Sequence, residues 1–314
     1  MTTLIFTAIL PIFLTIALGF LARRLGWIEK SADSSLMAIM LNLLFPALFF
    51  SLILENPALR KAENLLLPPL LGFSTVAVGM GLALWIARRF QWGNSSERRT
   101  FSLSTGMYNY GYLPIPIMAA LFERETSGVL IVYNLGVEIA MWVLGVGFIL
   151  SAHDSKPLWQ RVMSGPVIAI LIAVPVNALG WSAYLPKFCF GIFDMLGACA
   201  IPIALILIGV TFADLFKGLN FREHRGFLIG GLTLRVLILP LAFIALALLL
   251  PATTELQRVL VVQAAMPCAI FPVVLARHYG GAPVIVLKLA LVTTCLSFVT
   301  IPLWIGLGLR WIAN

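Results

Sequence analysis

A chain of 314 residues that is 61% hydrophobic and 11% charged, with a mean hydropathy of +1.02, is too apolar for a soluble domain and too evenly apolar for a soluble domain on one anchor. It reads as an all-α polytopic membrane protein, with no loop large enough to fold as a catalytic or binding domain of its own. The net charge of +8 does not point to nucleic acid, because the basic residues are scattered over short loops and not clustered on one face.

Ten stretches approach the roughly 20 apolar residues that a membrane helix needs. The first, 4–22, lacks a basic leader and is followed by Arg23 and Arg24, so it reads as mature structure and not as a signal peptide. The second, 33–54, carries Asn42 and Pro46, and the third, 64–87, runs into Arg88, Arg89, Arg98 and Arg99. The fourth, 100–122, contains Asn109-Tyr110-Gly111-Tyr112-Leu113-Pro114-Ile115-Pro116. Each of those prolines removes a backbone donor and clashes with the carbonyl four residues back, so the helix must break there. Within hydrocarbon a break is tolerated only where protein or a water-filled cavity lines it, which makes this one a candidate binding site.

The fifth span, 127–150, places Glu138 near the membrane centre and Asn134 one turn before it on the same face. A charge at that depth is a functional hypothesis by default: Asn134 is a candidate substrate contact, and Glu138 a proton-coupling acid or an ion-pair partner. A linker, 152–163, leads to the sixth span, 165–181, with Asn177, and the seventh, 187–209, with Asp194 and Pro202. Arg235, in the eighth span (226–250), is the second deep charge and a candidate partner for Glu138 or for an anionic substrate; its alternative is to snorkel to the surface. The ninth span, 257–279, carries Gln263 and Met266-Pro267-Cys268-Ala269-Ile270-Phe271-Pro272, a second proline break, and ends at His278. In the tenth, 283–309, Lys288 is close enough to an end to snorkel. Asn42, Asn177 and Gln263 are candidates for hydrogen bonds between helices.

The basic residues set orientation. Thirteen of the 21 Lys and Arg fall at the loops after spans one, three, five, seven and nine, against six on the other side, which places those loops in the cytoplasm and both termini outside. The prolines also reveal a repeat: Pro46 and Pro202 are 156 residues apart, as are Pro116 and Pro272. The expected organisation is two five-helix repeats, 1–151 and 164–314, inverted because five is odd, with breaks in helices four and nine. Matched broken helices are the architecture of alternating-access transporters. If the second half-helices begin near Pro116 and Pro272, their free amides and positive dipole ends favour an anion at the centre.

Competing chemistry is absent from the sequence. There is no Gly-rich phosphate loop, no His-Glu-x-x-His and no aspartate pair, so no catalytic residues are assigned and the chain is not expected to be an enzyme. His153, His224 and His278 lie at loops or span ends, and Cys189, Cys199, Cys268 and Cys295 have neither metal spacing nor a paired framework. No metal or cofactor is expected.

Asn109-x-Gly111-x-x-Pro114-x-Pro116, the Pro267 to Pro272 break, Asn42 to Pro46 and the five-plus-five layout together resemble the auxin efflux carrier family of membrane transporters, over almost the whole chain. The resemblance implies a scaffold of spans one, two, six and seven and a mobile part with two crossed helices, moving organic anions such as auxin or small carboxylates like malonate. It also implies that Asn109, and Asn134 with it, line the substrate site. The short 152–163 loop marks a prokaryote-type member. The expected function is a secondary carrier of small organic anions. Asn109, Tyr110, Gly111, Asn134, Gln263 and Met266 contact substrate; Pro114, Pro116, Pro267 and Pro272 make the breaks; Glu138, Arg235 and Asn42 serve proton or sodium coupling. The alternatives are a sodium-coupled symporter of the bile-acid type, with oxygen ligands behind the crossing, and a non-transporting membrane receptor. Partners beyond the substrate are the lipid bilayer, a coupling ion, and a second copy if the apolar surface of the scaffold spans forms a homodimer.

Overall fold

Apolar runs of this length have one way to satisfy their backbone in a bilayer, which is to bond within the helix, and the computed structural model is helical throughout. It describes residues 2–149, 157–215 and 223–313. His153, the end of the fifth expected span and the first part of the 152–163 linker lie outside the described residues.

In chain order the helices are α1 (Thr2–Arg24), α2 (Asp33–Ile39), α3 (Phe45–Ile53), α4 (Glu63–Arg89), α5 (Ser95–Gly106), α6 (Pro114–Leu121), α7 (Arg124–Ala140), α8 (Leu158–Val162), α9 (Gly165–Ala178), α10 (Lys187–Leu215), α11 (Arg225–Leu232), α12 (Leu239–Leu249), α13 (Thr254–Ala264), α14 (Pro272–His278) and α15 (Pro283–Ile312). Wide π-helical turns join α2 to α3 (Met40–Leu44) and α11 to α12 (Thr233–Ile238), and a third such stretch, Met141–Ile149, extends α7. Counting these joined segments as one, seven helices among the described residues are long and apolar enough to cross a membrane. The remaining expected spans are the shorter apolar α9 and the two interrupted ones, α5 with α6 and α13 with α14.

The ends follow local rules. Arg23 and Arg24 close α1 where its dipole is negative, and Gly26 at φ +77° turns the chain out, with Trp27 N–H bonded to the Ala22 carbonyl at 2.9 Å. Asn94 caps α5 in a reciprocal capping box with Glu97.

Packing rests on small residues, since helices in lipid gain little from apolar contact alone and gain from close approach. The most extensive contacts are α1 on α10 and α4 on α7. A Cβ on Gly136 of α7 would stand 1.7 Å from the Pro69 carbonyl oxygen of α4, and one on Gly209 of α10 would stand 2.0 Å from the Ile16 oxygen of α1. Neither position can hold a larger residue without separating its pair.

Both breaks occur where the prolines require them, with one adjustment. The second half-helices open at Pro114 and Pro272, each at the first helical position, so Pro116 lies inside α6. The two gaps then meet. Asn109 N–H donates to the Pro267 carbonyl at 2.8 Å and Ala269 N–H to the Met107 carbonyl at 2.9 Å, forming one antiparallel bridge between Tyr108 and Cys268. Backbone groups orphaned in one gap are satisfied by those of the other, which is how non-helical chain survives inside the bundle.

Candidate functional site

Beside the paired gaps lies a cavity of about 250 Å³. One wall is the first gap, Asn109 to Tyr112, and another is Ala269 to Phe271 of the second. Asn134, Leu135, Glu138 and Trp142 project from α7 and its π extension; Leu41, Phe45 and Phe49 come from the α2–α3 helix, and Pro166, Val167 and Ile170 from α9. The lining is mostly apolar and aromatic, with Phe45 and Tyr112 ring centroids 5.7 Å apart. Among the described residues Glu138 is its single ionisable carboxyl, and no Lys, Arg or His lines it.

The polar side chains are held in place by one another. Asn134 Nδ2 donates to the Tyr110 carbonyl at 2.8 Å, while its Oδ1 accepts from Gln263 Nε2 at 3.0 Å. Gln263 Nε2 also reaches the Tyr110 carbonyl at 3.3 Å, so two amides from different helices clamp the first gap. Asn109 Oδ1 accepts from Leu113 N–H at 3.2 Å, capping the approach to α6. The Tyr110 hydroxyl donates to one oxygen of Glu138, and Trp142 Nε1 donates to the other at 3.1 Å. Glu138 therefore faces the cavity between two neutral donors.

The anticipated free amides at the half-helix starts are mostly used internally. Ile115 N–H bonds Gly111, Ile117 N–H bonds Leu113, and Val273 and Val274 N–H close tight turns onto Ile270 and Phe271. Five donors on the cavity wall remain: the N–H groups of Tyr110, Gly111, Tyr112, Ile270 and Phe271 bond no protein group among the described residues.

Of the residues singled out from sequence, Asn109, Tyr110, Gly111, Asn134 and Glu138 converge on this cavity. Gln263 is fully buried behind it, and Met266, 1% exposed, turns its carbonyl to Arg235. Arg235 does not meet Glu138. It is buried on the far side of the gaps, donating Nε to the Met266 carbonyl at 2.7 Å and Nη2 to the Gln263 carbonyl at 3.0 Å. Asn42 is exposed and bonds back to Ala38 of its own helix at 2.9 Å, away from the cavity. Asn177 does join elements, reaching the Asn56 carbonyl at 2.8 Å. Asp194 is exposed beside Arg124 at 3.8 Å, and Lys288 extends to the Glu223 carbonyl at 3.0 Å. Trp142 and Phe271 have no role in the sequence reading, and Tyr112 enters it only as part of the first break. Trp142 was within reach, since it is one helical turn beyond Glu138; Phe271 carries no signal until the gaps are paired.

Interrupted helices that meet beside a cavity within a multi-span helical bundle define a membrane transporter. The chain belongs to the membrane transport protein family, whose model matches it twice, over residues 4–157 and 153–305, and which is the family of the auxin efflux carriers. It is similar to an uncharacterized transporter of Methanothermobacter thermautotrophicus, 27% identical over 304 residues that cover 94% of this chain and 96% of the relative. A second archaeal relative, the uncharacterized transporter MJ1031 of Methanocaldococcus jannaschii, is 22% identical over 301 residues with the same coverage. The chain is thus a multi-pass membrane transporter and not an enzyme.

Proposed function

We propose that this transporter is an alternating-access carrier of small organic anions, with substrate held in the cavity beside the paired gaps. The observation that carries the reading is the set of unused backbone donors on the cavity wall, Tyr110, Gly111 and Tyr112 N–H ahead of α6 and Ile270 and Phe271 N–H ahead of α14. Backbone donors ahead of a helix start suit a carboxylate. Asn109 and Asn134 fix its orientation, and the aromatic lining takes an apolar body. With no cation in the lining among the described residues, Glu138 carries a proton while an anion is bound, since two unscreened negative charges in one apolar cavity repel strongly. Glu138 is accordingly the proton-coupling group.

The architecture that goes with this function is two inverted five-helix repeats, 1–151 and 164–314, joined by 152–163, crossing the membrane ten times with both termini outside. The double match of one family model and the reciprocal hydrogen bonds between the gaps support it.

The test is counterflow in proteoliposomes of radiolabelled carboxylates, from malonate to aromatic monocarboxylates, with wild type, Asn109→Ala and Glu138→Gln. Counterflow needs no net driving force, so it reads the site apart from the coupling. Wild-type exchange that Asn109→Ala abolishes supports the reading. A folded wild type that exchanges no carboxylate overturns the anion assignment.

A further inference from the structure

Arg235 is 2% exposed at mid-span, and among the described residues no carboxylate bonds to it. Its surroundings are neutral. Nε and Nη2 donate to the Met266 and Gln263 carbonyls, the guanidinium carbon stands 4.7 Å from the Tyr108 ring centroid and 5.5 Å from that of Phe243, and Nη1 has no hydrogen-bond partner. The two carbonyls are at the interrupted end of α13, where its dipole is negative; that of Gln263 also accepts from Met266 N–H at 3.2 Å, and Met266 lies just past the last helical residue, Ala264. Neutral carbonyl oxygens and ring faces without an anion are the surroundings that proteins offer a monovalent cation.

We propose that the Arg235 guanidinium is a tethered counter-cation for the interrupted end of α13, filling the place that a bound sodium ion would otherwise take, so that the paired gaps are stable and operate without sodium. A helix end inside hydrocarbon has to be neutralised, either by an ion from solution or by a side chain. Here the side chain does it, and the oxygen atoms required by a sodium-coupled mechanism behind the crossing are already engaged. Arg235 is a positioning residue: it acts on substrate only through the gap that it steadies.

This inference goes beyond the carrier reading, and its main readout, the thermal unfolding midpoint of the purified full-length protein, needs no substrate. The wild type, Arg235→Lys and Arg235→Met are compared in sodium chloride and in choline chloride, each with and without millimolar guanidinium chloride. The expected result is a wild type and an Arg235→Lys variant whose midpoints do not distinguish sodium from choline. Arg235→Met should unfold several degrees lower in choline and recover much of that loss with guanidinium or sodium. Saturable sodium stabilisation of the wild type overturns the proposal. So does an Arg235→Met protein as stable as wild type and indifferent to cations, or an Arg235→Lys protein that needs sodium. If Arg235→Met does not accumulate, the wild-type and Arg235→Lys comparisons decide alone. Should no carboxylate exchange in the counterflow assay, these midpoints keep their meaning.

Discussion

Asn134 and Gln263 give the sharpest quantitative test, because both are buried, 5% and 0% exposed, and both bond one carbonyl, that of Tyr110. Replacing Asn134 with alanine deletes its 2.8 Å bond to Tyr110 and the 3.0 Å bond from Gln263, leaving Gln263 only the longer contact with Tyr110. Hydrogen bonds between membrane helices contribute about 0.6 to 2 kcal/mol each, so the single variant, which loses both, should lose about 1 to 4 kcal/mol. Gln263→Ala loses a similar amount, and the Asn134–Gln263 bond belongs to both. The double variant should then fall short of the sum of the singles by about 0.6 to 2 kcal/mol. Equilibrium unfolding in mixed micelles, titrated with a denaturing detergent, measures the cycle. Additivity within about 0.3 kcal/mol would refute the shared bond and with it the clamp on the first gap.

Three further outcomes are expected. Glu138→Gln should retain counterflow yet lose accumulation driven by a proton gradient; accumulation equal to wild type would remove Glu138 from coupling. Glu97, in the first turn of α5, has its carboxyl held below the ordinary 4.5 first by the Asn94 N–H and also by His224, against partial burial. A depressed acid stabilises the fold above its unfolded pKa and loses that stabilisation as pH falls through the folded value. Glu97→Gln should therefore cost up to about 1 kcal/mol near neutrality, and the gap from wild type should narrow as the pH falls below 4.5 through the depressed folded value, in thermal unfolding measured across pH. Gly136→Ala must displace the Pro69 carbonyl, so α4 and α7 should separate at a cost of about 1 to 3 kcal/mol or more, seen as a lower unfolding midpoint. An unchanged midpoint would contradict the close approach.

What the sequence made legible was what the chain encodes locally. Proline spacing located both breaks, apolar runs located the helices, and Asn109, Tyr110, Gly111, Asn134 and Glu138 were identified as a group before the cavity was known. The misses involve partners distant in sequence. Arg235 and Glu138 are the two deep charges, and the sequence leaves the arginine free to meet Glu138, to hold an anionic substrate or to snorkel; only the packing of α11–α12 against the second gap shows that it engages carbonyls instead. Asn42 fits the pattern of a membrane amide reaching a neighbour, yet a turn of π-helix presents it to the outside. Gly111 and Tyr112 contribute backbone, which residue identity conceals.

Leu41, Trp142 and Arg235, each beside the cavity or the paired gaps, all sit in π-helical stretches. A π turn holds one residue more than the backbone needs, so each of these helices carries a surplus letter in its reading frame. Removing a single residue from 141–149 would let that stretch read as regular α with the α7 turns before it keeping their phase, because a π turn absorbs its surplus residue locally. Each such stretch is a place where the helix can gain or lose one residue, and re-aim the side chains of one turn, without breaking.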